Sequence, residues 1–500
     1  MNPPLGRLTE KLGSKTMRHL LALSLLASCL LPGESLEPTR PNIVIILADD
    51  LGQGDLGCYN AASKIPTPHM DSLADQGTRF TDAHSPSAVC TPTRYGLLTG
   101  RYAWRSRLKA WVLNGTSRAL IEEDRPTIAS LLDERGYETQ VVGKWHLGLG
   151  EVEPTNYSAP LTHGPLELGF DHAFIFPASL DMEPYVYVVD REVESAPTES
   201  IAGSKHRRQG GGGFWRKGRA APEWDMHQVL PRLADEACER ISAHSADHPE
   251  EPLFLYLPLT APHTPWLPTE EWDGVTEISH YGDFVAQVDG VVGQVSAALE
   301  ANGMSKDTLI IITSDNGSHW PEADIERWGH EANNGRRGQK ADIHEGGHRI
   351  PFIASWPENI PAGESTDELI CLTDLYSTIA HLTGASPTSG GEDSFDYSAH
   401  LRGARATTPI RDSLVHHSGN GMFAIRRGPW KLITKHGSGG FTKPANRKAE
   451  EGESPGQLYN LEEDPGEQIN EWDNEPLIVA ELLALLEETK SSGSSVSRDD

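Results

Sequence analysis

The chain is expected to be an α/β protein: a large, mostly parallel β-sheet sandwiched by helices, then a smaller C-terminal antiparallel sheet with one helix. Continuous apolar runs without alternation, beginning with residues 42–48, have the pattern of parallel strands covered on both faces. They alternate with stretches of helical period, the order that buries a parallel sheet between helical layers. Past about residue 385 Pro, Gly and Ser accumulate and two short apolar runs flank a turn, as in an antiparallel subdomain.

Taken in order, Arg7, Lys11, Lys15 and Arg18 precede an apolar run over 20–31, the layout of a signal peptide within residues 1–36. The run is too short to span a bilayer comfortably. Leu26-Ala27-Ser28-Cys29 resembles a lipoprotein cleavage box that would leave Cys29 lipid-bearing, with plain secretion as the equal alternative and Met17 as a second candidate start. Either route places the protein outside the cytoplasm, secreted or in the periplasm and cell envelope. A catalytic domain is expected over 37–384. Its strands are 42–48, 137–142, 253–257, 309–313 and 352–355; its helices are 127–135, stopped by Gly136, then 229–244, 281–301 and one from about Asp374. Residues 385–500 form the smaller subdomain, with a hairpin of 422–426 and 430–433 around Arg427-Gly428-Pro429, a helix over 477–486 and a polar tail. An insertion over 185–224 carries a glycine run beside Arg207, Arg208, Arg216, Lys217 and Arg219, readable as a mobile basic lip or as a solvated loop.

Lys and Arg number 43 against 72 acidic residues, a formal charge of -29, which excludes nucleic acid and anionic membrane as bulk partners. Only an N-terminal lipid would bring the chain to a membrane, and an anionic substrate requires a local basic cluster. Apart from Cys29, the cysteines Cys58, Cys90, Cys238 and Cys371 are too few and scattered for a disulfide framework, and Cys58, Cys238 and Cys371 are expected as buried small side chains.

Functional groups of open parallel sheets collect beyond the carboxyl ends of the strands. There the sequence places Asp49 and Asp50, Lys144 and His146, His263, and Asp315 with Asn316. Paired carboxylates with a distant Asp-Asn make a hard, oxygen-rich site suited to calcium or magnesium, although each pair alone also suits a turn or a helix cap. Lys144 and His146, two residues apart, would share one side of an extended segment.

The most specific stretch is Cys90-Thr91-Pro92-Thr93-Arg94 followed by Leu97-Leu98-Thr99-Gly100-Arg101. It resembles the maturation signature of the formylglycine-dependent sulfatases. The resemblance runs colinearly from Pro41 to Glu467 through Gly143-Lys144-Trp145-His146, Ala261-Pro262-His263, Asp315-Asn316-Gly317 and Lys340 ahead of Glu345-Gly346-Gly347. Its segment order is most similar to the arylsulfatase A and N-acetylgalactosamine-6-sulfatase branch.

That resemblance implies a fold of the alkaline phosphatase superfamily. It also implies Cys90 oxidised to formylglycine by a formylglycine-generating enzyme, and calcium, ahead of magnesium, on Asp49, Asp50, Asp315, Asn316 and modified Cys90. Arg94, Lys144 and Lys340 would hold sulfate, and Ser179 would add a contact. Asp315 would accept the nucleophile's proton, while His263 would protonate the leaving alcohol and His146 would deprotonate the remaining hydroxyl to free sulfate.

Two readings compete: a phosphonate or phosphate ester hydrolase of the same superfamily, and a sulfated-glycan-binding lipoprotein without catalysis. The substrate is expected to be a sulfated small molecule or sugar, with a galactose-type 6-sulfate as the specific candidate. Trp215, Trp224, Trp266 and Trp320 are candidate ring-stacking residues. His172, Asp181, His319, His330, Arg336, Arg337 and His417 are candidates for the sugar subsite.

Overall fold

The computed structural model describes Met1 and residues 40–204, 214–386, 389–404 and 409–496. The rest of the expected leader, including Met17 and Cys29, and Arg207 and Arg208 lie outside the described residues. No helix among the described residues is long and apolar enough to cross a membrane.

A ten-stranded sheet organises residues Arg40–Asp500, which form one compact unit. Its spatial order is Glu364–Thr366, Thr78–Phe80, Phe352–Ser355, Thr308–Ser314, Asn42–Asp49, Leu253–Pro262, Glu138–Lys144, His172–Phe176, Val188–Val189 and Glu192–Val193. The centre is parallel: Asn42–Asp49 pairs with Leu253–Pro262 (Ile43 opposite Phe254) and with Thr308–Ser314 (Ile43 opposite Leu309). Phe352–Ser355 runs antiparallel to its neighbours, and so do the two edge strands near residue 190, making the sheet mixed.

The unalternating apolar runs have the expected cause. Ile43, Ile45 and Leu47 enter the core on one face of the sheet, and Val44, Ile46 and Ala48 enter the core on the other. Helix Val229–Asp247 buries Val229, Leu230, Leu233, Ala234, Ala237 and Ile241, a three-and-four spacing that gives one apolar stripe. Each fully buried Leu or Val contributes about 1.5–3 kcal/mol. Helix His280–Ala301 lies in the same layer. Helix Ile128–Asp133 starts at Thr127, whose Oγ1 accepts from Ser130 N at 3.1 Å. It ends two residues earlier than expected, the chain turning through Gly136 at φ 71°.

Leu253–Pro262 continues five residues beyond the expected strand. Its register against the first strand shifts between Leu47 and Asp49, which brings Pro262, and so His263, beside Asp49. In the described part of the insertion Glu199–Ile201 pairs with Gly218–Ala220, and Val188–Val189 with Glu192–Val193 extends the main sheet.

The second sheet contains Leu414–His417, Phe423–Arg427, Trp430–Ile433 and Gln457–Asn460, all antiparallel. Helix Pro476–Ser491 lays Val479, Leu482 and Leu486 against Ile425, Leu432 and Leu458. Cys371 is buried as expected, but Cys58 and Cys238 are only half-buried; all described cysteines are free.

Candidate active site

Every residue singled out for the centre converges at the carboxyl ends of the parallel strands. Asp49 closes its strand and Asp50 follows at φ 70°, a left-handed conformation that a short polar side chain tolerates. Lys144 closes Glu138–Lys144, Asp315 and Asn316 follow Thr308–Ser314, and His263 follows Pro262. Cys90 is the first residue of helix Cys90–Thr99, buried throughout and capped by Gly100 at φ 64°. Burial on all sides removes the amphipathic pattern that would have revealed this helix in the sequence.

Arg94 is fully buried. Its Nε and Nη2 donate to Asp315 Oδ2 at 3.1 and 2.7 Å, and Nη1 donates to Lys144 O at 2.8 Å. Lys144 Nζ reaches Asp49 Oδ2 at 2.5 Å and Ser179 Oγ at 2.7 Å. Lys340 Nζ lies 2.6 Å from Asp50 Oδ1 and 3.5 Å from Cys90 Sγ, while the Cys90 thiol points to Asp49 Oδ1 at 3.5 Å. His263 Nδ1 donates to Thr264 O, leaving Nε2 3.9 Å from Asp50 Oδ2.

His146 corrects one expectation: at φ 55° it leaves the extended path, so it does not share one strand face with Lys144. Its Nε2 donates to Leu113 O at 2.8 Å, and a carbonyl only accepts, so buried and unpartnered Nδ1 carries the lone pair. Burial, then the charges of Lys144 and Arg94, hold this imidazole well below its ordinary pKa, so it is neutral.

Burial works to raise the Asp49 carboxyl, but Lys144, His263 and Arg94 outweigh it and leave the group at about 2. Burial, then the Asp315 carboxylate, push the Cys90 thiol upward. A protonated thiol is a poor nucleophile, so unmodified cysteine is badly matched to this place.

The donors fit a hard cation. Asp49, Asp50, Cys90 and His263 each bring a ligand atom within 4.8 Å of the others. Asn316 Nδ2 donates to Asp50 Oδ1 at 2.7 Å, leaving buried Asn316 Oδ1 without a partner. A calcium or magnesium ion would complete that oxygen-rich set.

Above these groups opens a cavity of about 280 Å³, whose lining includes Cys90, His146, Ser179, His263 and Lys340. Of the sugar-subsite candidates, Asp181 and His319 line it, as does Arg216 from the basic insertion. The others lie elsewhere: His172 pairs with Asp190, His330 with Asp55, and Arg337 with Tyr459 and Glu467, while Arg336 and His417 are absent from the lining. Among the four tryptophans Trp266 alone reaches the cavity; Trp320 packs on Tyr281, Trp224 on Phe176, and Trp215 donates to Ala202 O. The reading of the sequence missed Trp111, Val112, Met182 and Phe441 in the lining, since nothing distinguishes them from packing residues before the chain is folded.

The sulfatase family model matches residues 41–385. An N-acetylgalactosamine-6-O-sulfatase of Bacteroides thetaiotaomicron is 33% identical over 486 residues, covering 90% of this chain and 93% of that protein. Human arylsulfatase A is 33% identical over 448 residues, covering 86% and 83%. A structure solved in work on the metabolism of multiple glycosaminoglycans by Bacteroides thetaiotaomicron superposes with a TM-score of 0.79 at 32% identity, covering 90% and 99%. A Pseudoalteromonas sulfatase structure superposes at 0.70 with 25% identity, covering 92% of each chain. A family match over most of the chain, with relatives a third identical along nearly all of it, shows that this protein belongs to the sulfatase family and is a sulfuric ester hydrolase.

Proposed function

We propose that the protein removes sulfate from a sulfated carbohydrate, with a galactose-type 6-sulfate as its substrate, through a formylglycine made from Cys90 and a calcium ion held by Asp49, Asp50, Asp315 and Asn316. The observation that carries this reading is the placement of Cys90: buried in the lining of the cavity, it meets Lys340 and Asp49, with Arg94 and Lys144 beside the same carboxylate. The name of the Bacteroides relative supports the sugar and the position of its sulfate.

Oxidised and hydrated, Cys90 would supply one hydroxyl that attacks sulfur and a second whose deprotonation expels sulfate, with calcium lowering the pKa of the attacking group. The rest falls to the chain's own side chains. Arg94, Lys144 and Lys340 set three fixed cations against Asp49, Asp50 and Asp315. A sulfate ester adds one negative charge, and those buried cations would stabilise charge growing on the transferred group and the departing oxygen. His263 lines the cavity and would protonate the leaving alcohol, and the lone pair of His146 Nδ1 would take the proton that frees sulfate. Asp315, fixed by Arg94, accepts the proton of the attacking hydroxyl, and Ser179, fixed by Lys144, contacts sulfate.

The charge and apolar run of the leader support export, with the protein secreted or held in the cell envelope, and a formylglycine-generating enzyme is the required partner. The test is the mass of the tryptic peptide containing Cys90 from protein matured with that enzyme. A loss of about 18 Da with release of sulfate from hexose 6-sulfates is expected. An unmodified thiol in active protein overturns the mechanism, and faster turnover of the matching phosphate or phosphonate esters overturns the sulfate assignment.

A further inference from the structure

We propose that Trp111 and Phe441 form the platform on which the sugar ring of the substrate lies, so that the C-terminal subdomain sets which sulfate esters the centre accepts. The proposal rests on the sulfatase reading of the same cavity.

Trp111 has φ 58°, a conformation that is a true outlier for a bulky side chain. Core packing does not account for it, since the residue is 44% exposed. Phe441, 39% exposed, stacks against it with centroids 6.2 Å apart and planes at 24°, and His319 lies 4.9 Å from the Phe441 ring. These two are the exposed Trp, Tyr and Phe side chains among the described residues, and they adjoin each other on the cavity wall. Strain maintained at an exposed aromatic beside a reactive centre points to binding.

Backbone hydrogen bonds tie the platform to the chemistry. Ala341, directly after Lys340, donates to Ala88 O at 2.7 Å, two residues before Cys90. Gly419 N donates to Ala341 O at 2.8 Å, and Trp111 N donates to Gly419 O at 2.6 Å. Glycine is required along this path: a Cβ on Gly440 would lie 2.3 Å from the Ala341 carbonyl carbon, and one on Gly419 would lie 2.8 Å from the Trp111 indole. Phe441 follows Gly440, so both rings are registered against Lys340 and Cys90.

Aromatic faces carry negative quadrupole density, which repels sulfate and favours C–H groups. The anion therefore goes toward Lys340 and Arg94 while the ring's hydrogen-bearing face meets the platform. A galacto-configured pyranose, whose axial O4 leaves the hydrogens of C3, C4 and C5 on one face, suits such a wall better than a gluco ring. Asp181 also lines the cavity with Oδ1 buried and unpartnered, while Arg216 donates to its other oxygen; a sugar hydroxyl would satisfy Oδ1.

Isothermal titration calorimetry on the unmodified cysteine form tests this without turnover, using galactose 6-sulfate, glucose 6-sulfate and inorganic sulfate. Trp111→Ala and Phe441→Ala should each weaken galactose 6-sulfate about tenfold or more, with Trp111→Phe within about threefold of wild type and inorganic sulfate within about twofold for all variants. Unchanged sugar affinity in both alanine variants overturns the platform, as does an equal loss for sugar and inorganic sulfate, or failure of any hexose 6-sulfate to bind wild type. Sugar binding that follows the expected pattern, with no sulfate released by the formylglycine form, would sink the catalytic reading and leave the platform standing.

Discussion

Replacing Arg94 by alanine separates what the guanidinium does for folding from what it does for catalysis. The side chain is fully buried, donates twice to Asp315 Oδ2 and once to Lys144 O, and lies 3.8 Å from Asp49 Oδ1. Its loss leaves the Asp315 carboxylate buried without its cation, which costs about 3–5 kcal/mol. About 440 described residues of this unit at about 2.1 cal/mol/K each give an unfolding entropy near 1 kcal/mol/K, so Tm should fall by about 3–5 °C. The variant therefore remains folded at 25 °C, where loss of one charge stabiliser should lower kcat by about 10²–10³. Differential scanning calorimetry and sulfate release are measured on Arg94→Ala protein whose Cys90 conversion equals that of wild type. Retention of more than about a tenth of wild-type activity refutes the role in charge stabilisation, and a Tm change under about 1 °C refutes the buried ion pair as a structural element.

Chelation with EGTA should abolish turnover and lower Tm, with calcium restoring both. At about 100 times its Kd a ligand stabilises by about 2.7 kcal/mol, here about 3 °C by scanning fluorimetry; full activity after exhaustive chelation would exclude the ion. Burial holds His417 at about 4 against an ordinary 6.5. Folding thus favours the neutral ring, and its stabilisation of about 3 kcal/mol is complete above pH 6.5 and lost as pH falls from 6.5 through 4. His417→Gln should flatten the Tm profile across that window, and an unchanged slope would contradict it. Lys431→Met should lower stability by about 3–5 kcal/mol, because Glu345 and Glu467 keep their burial and lose their shared cation; urea unfolding with an unchanged midpoint would refute this.

The sequence was most informative where one constraint acts alone. Residues 43–48 had to be apolar on both faces, so the central strand could be read almost to the residue. The centre was readable for a related reason: Asp49, Lys144, His263 and Asp315 sit at strand ends, where backbone placement and chemistry coincide. Short edge strands such as Val188–Val189 and Glu364–Thr366 carry too few residues for a period to register. The antiparallel course of Phe352–Ser355 was hidden because direction leaves no mark on a buried four-residue run. Trp111 was invisible for a different reason: its importance lies in a backbone angle and in contact with Phe441, 330 positions away.

The C-terminal sheet is best understood as a support for the candidate active site. Lys431, on its third strand, donates to Glu345 Oε1 at 3.0 Å and forms an ion pair with Glu467, its Nζ 2.9 Å from Oε1, and Glu345 N donates to Glu467 Oε2 at 2.7 Å. Burial, then Lys431, dominate the surroundings of Glu345, whose carboxyl lies well below its ordinary range, while burial raises that of Glu467. One lysine thus holds two carboxylates that would otherwise repel each other in a dry interior. Glu345 is followed by Gly346 and Gly347, where the backbone is packed so closely that a Cβ on Gly317 would come 2.0 Å from Gly346 O and one on Gly347 2.1 Å from Asp342 O. Gly317 directly follows Asn316, and Asp342 lies two residues past Lys340. Backbones this close transmit displacement instead of absorbing it. Loosening Lys431 should therefore be felt at Asn316 and Lys340, linking the second sheet to the oxygens proposed to hold the cation and to the lysine proposed to hold sulfate.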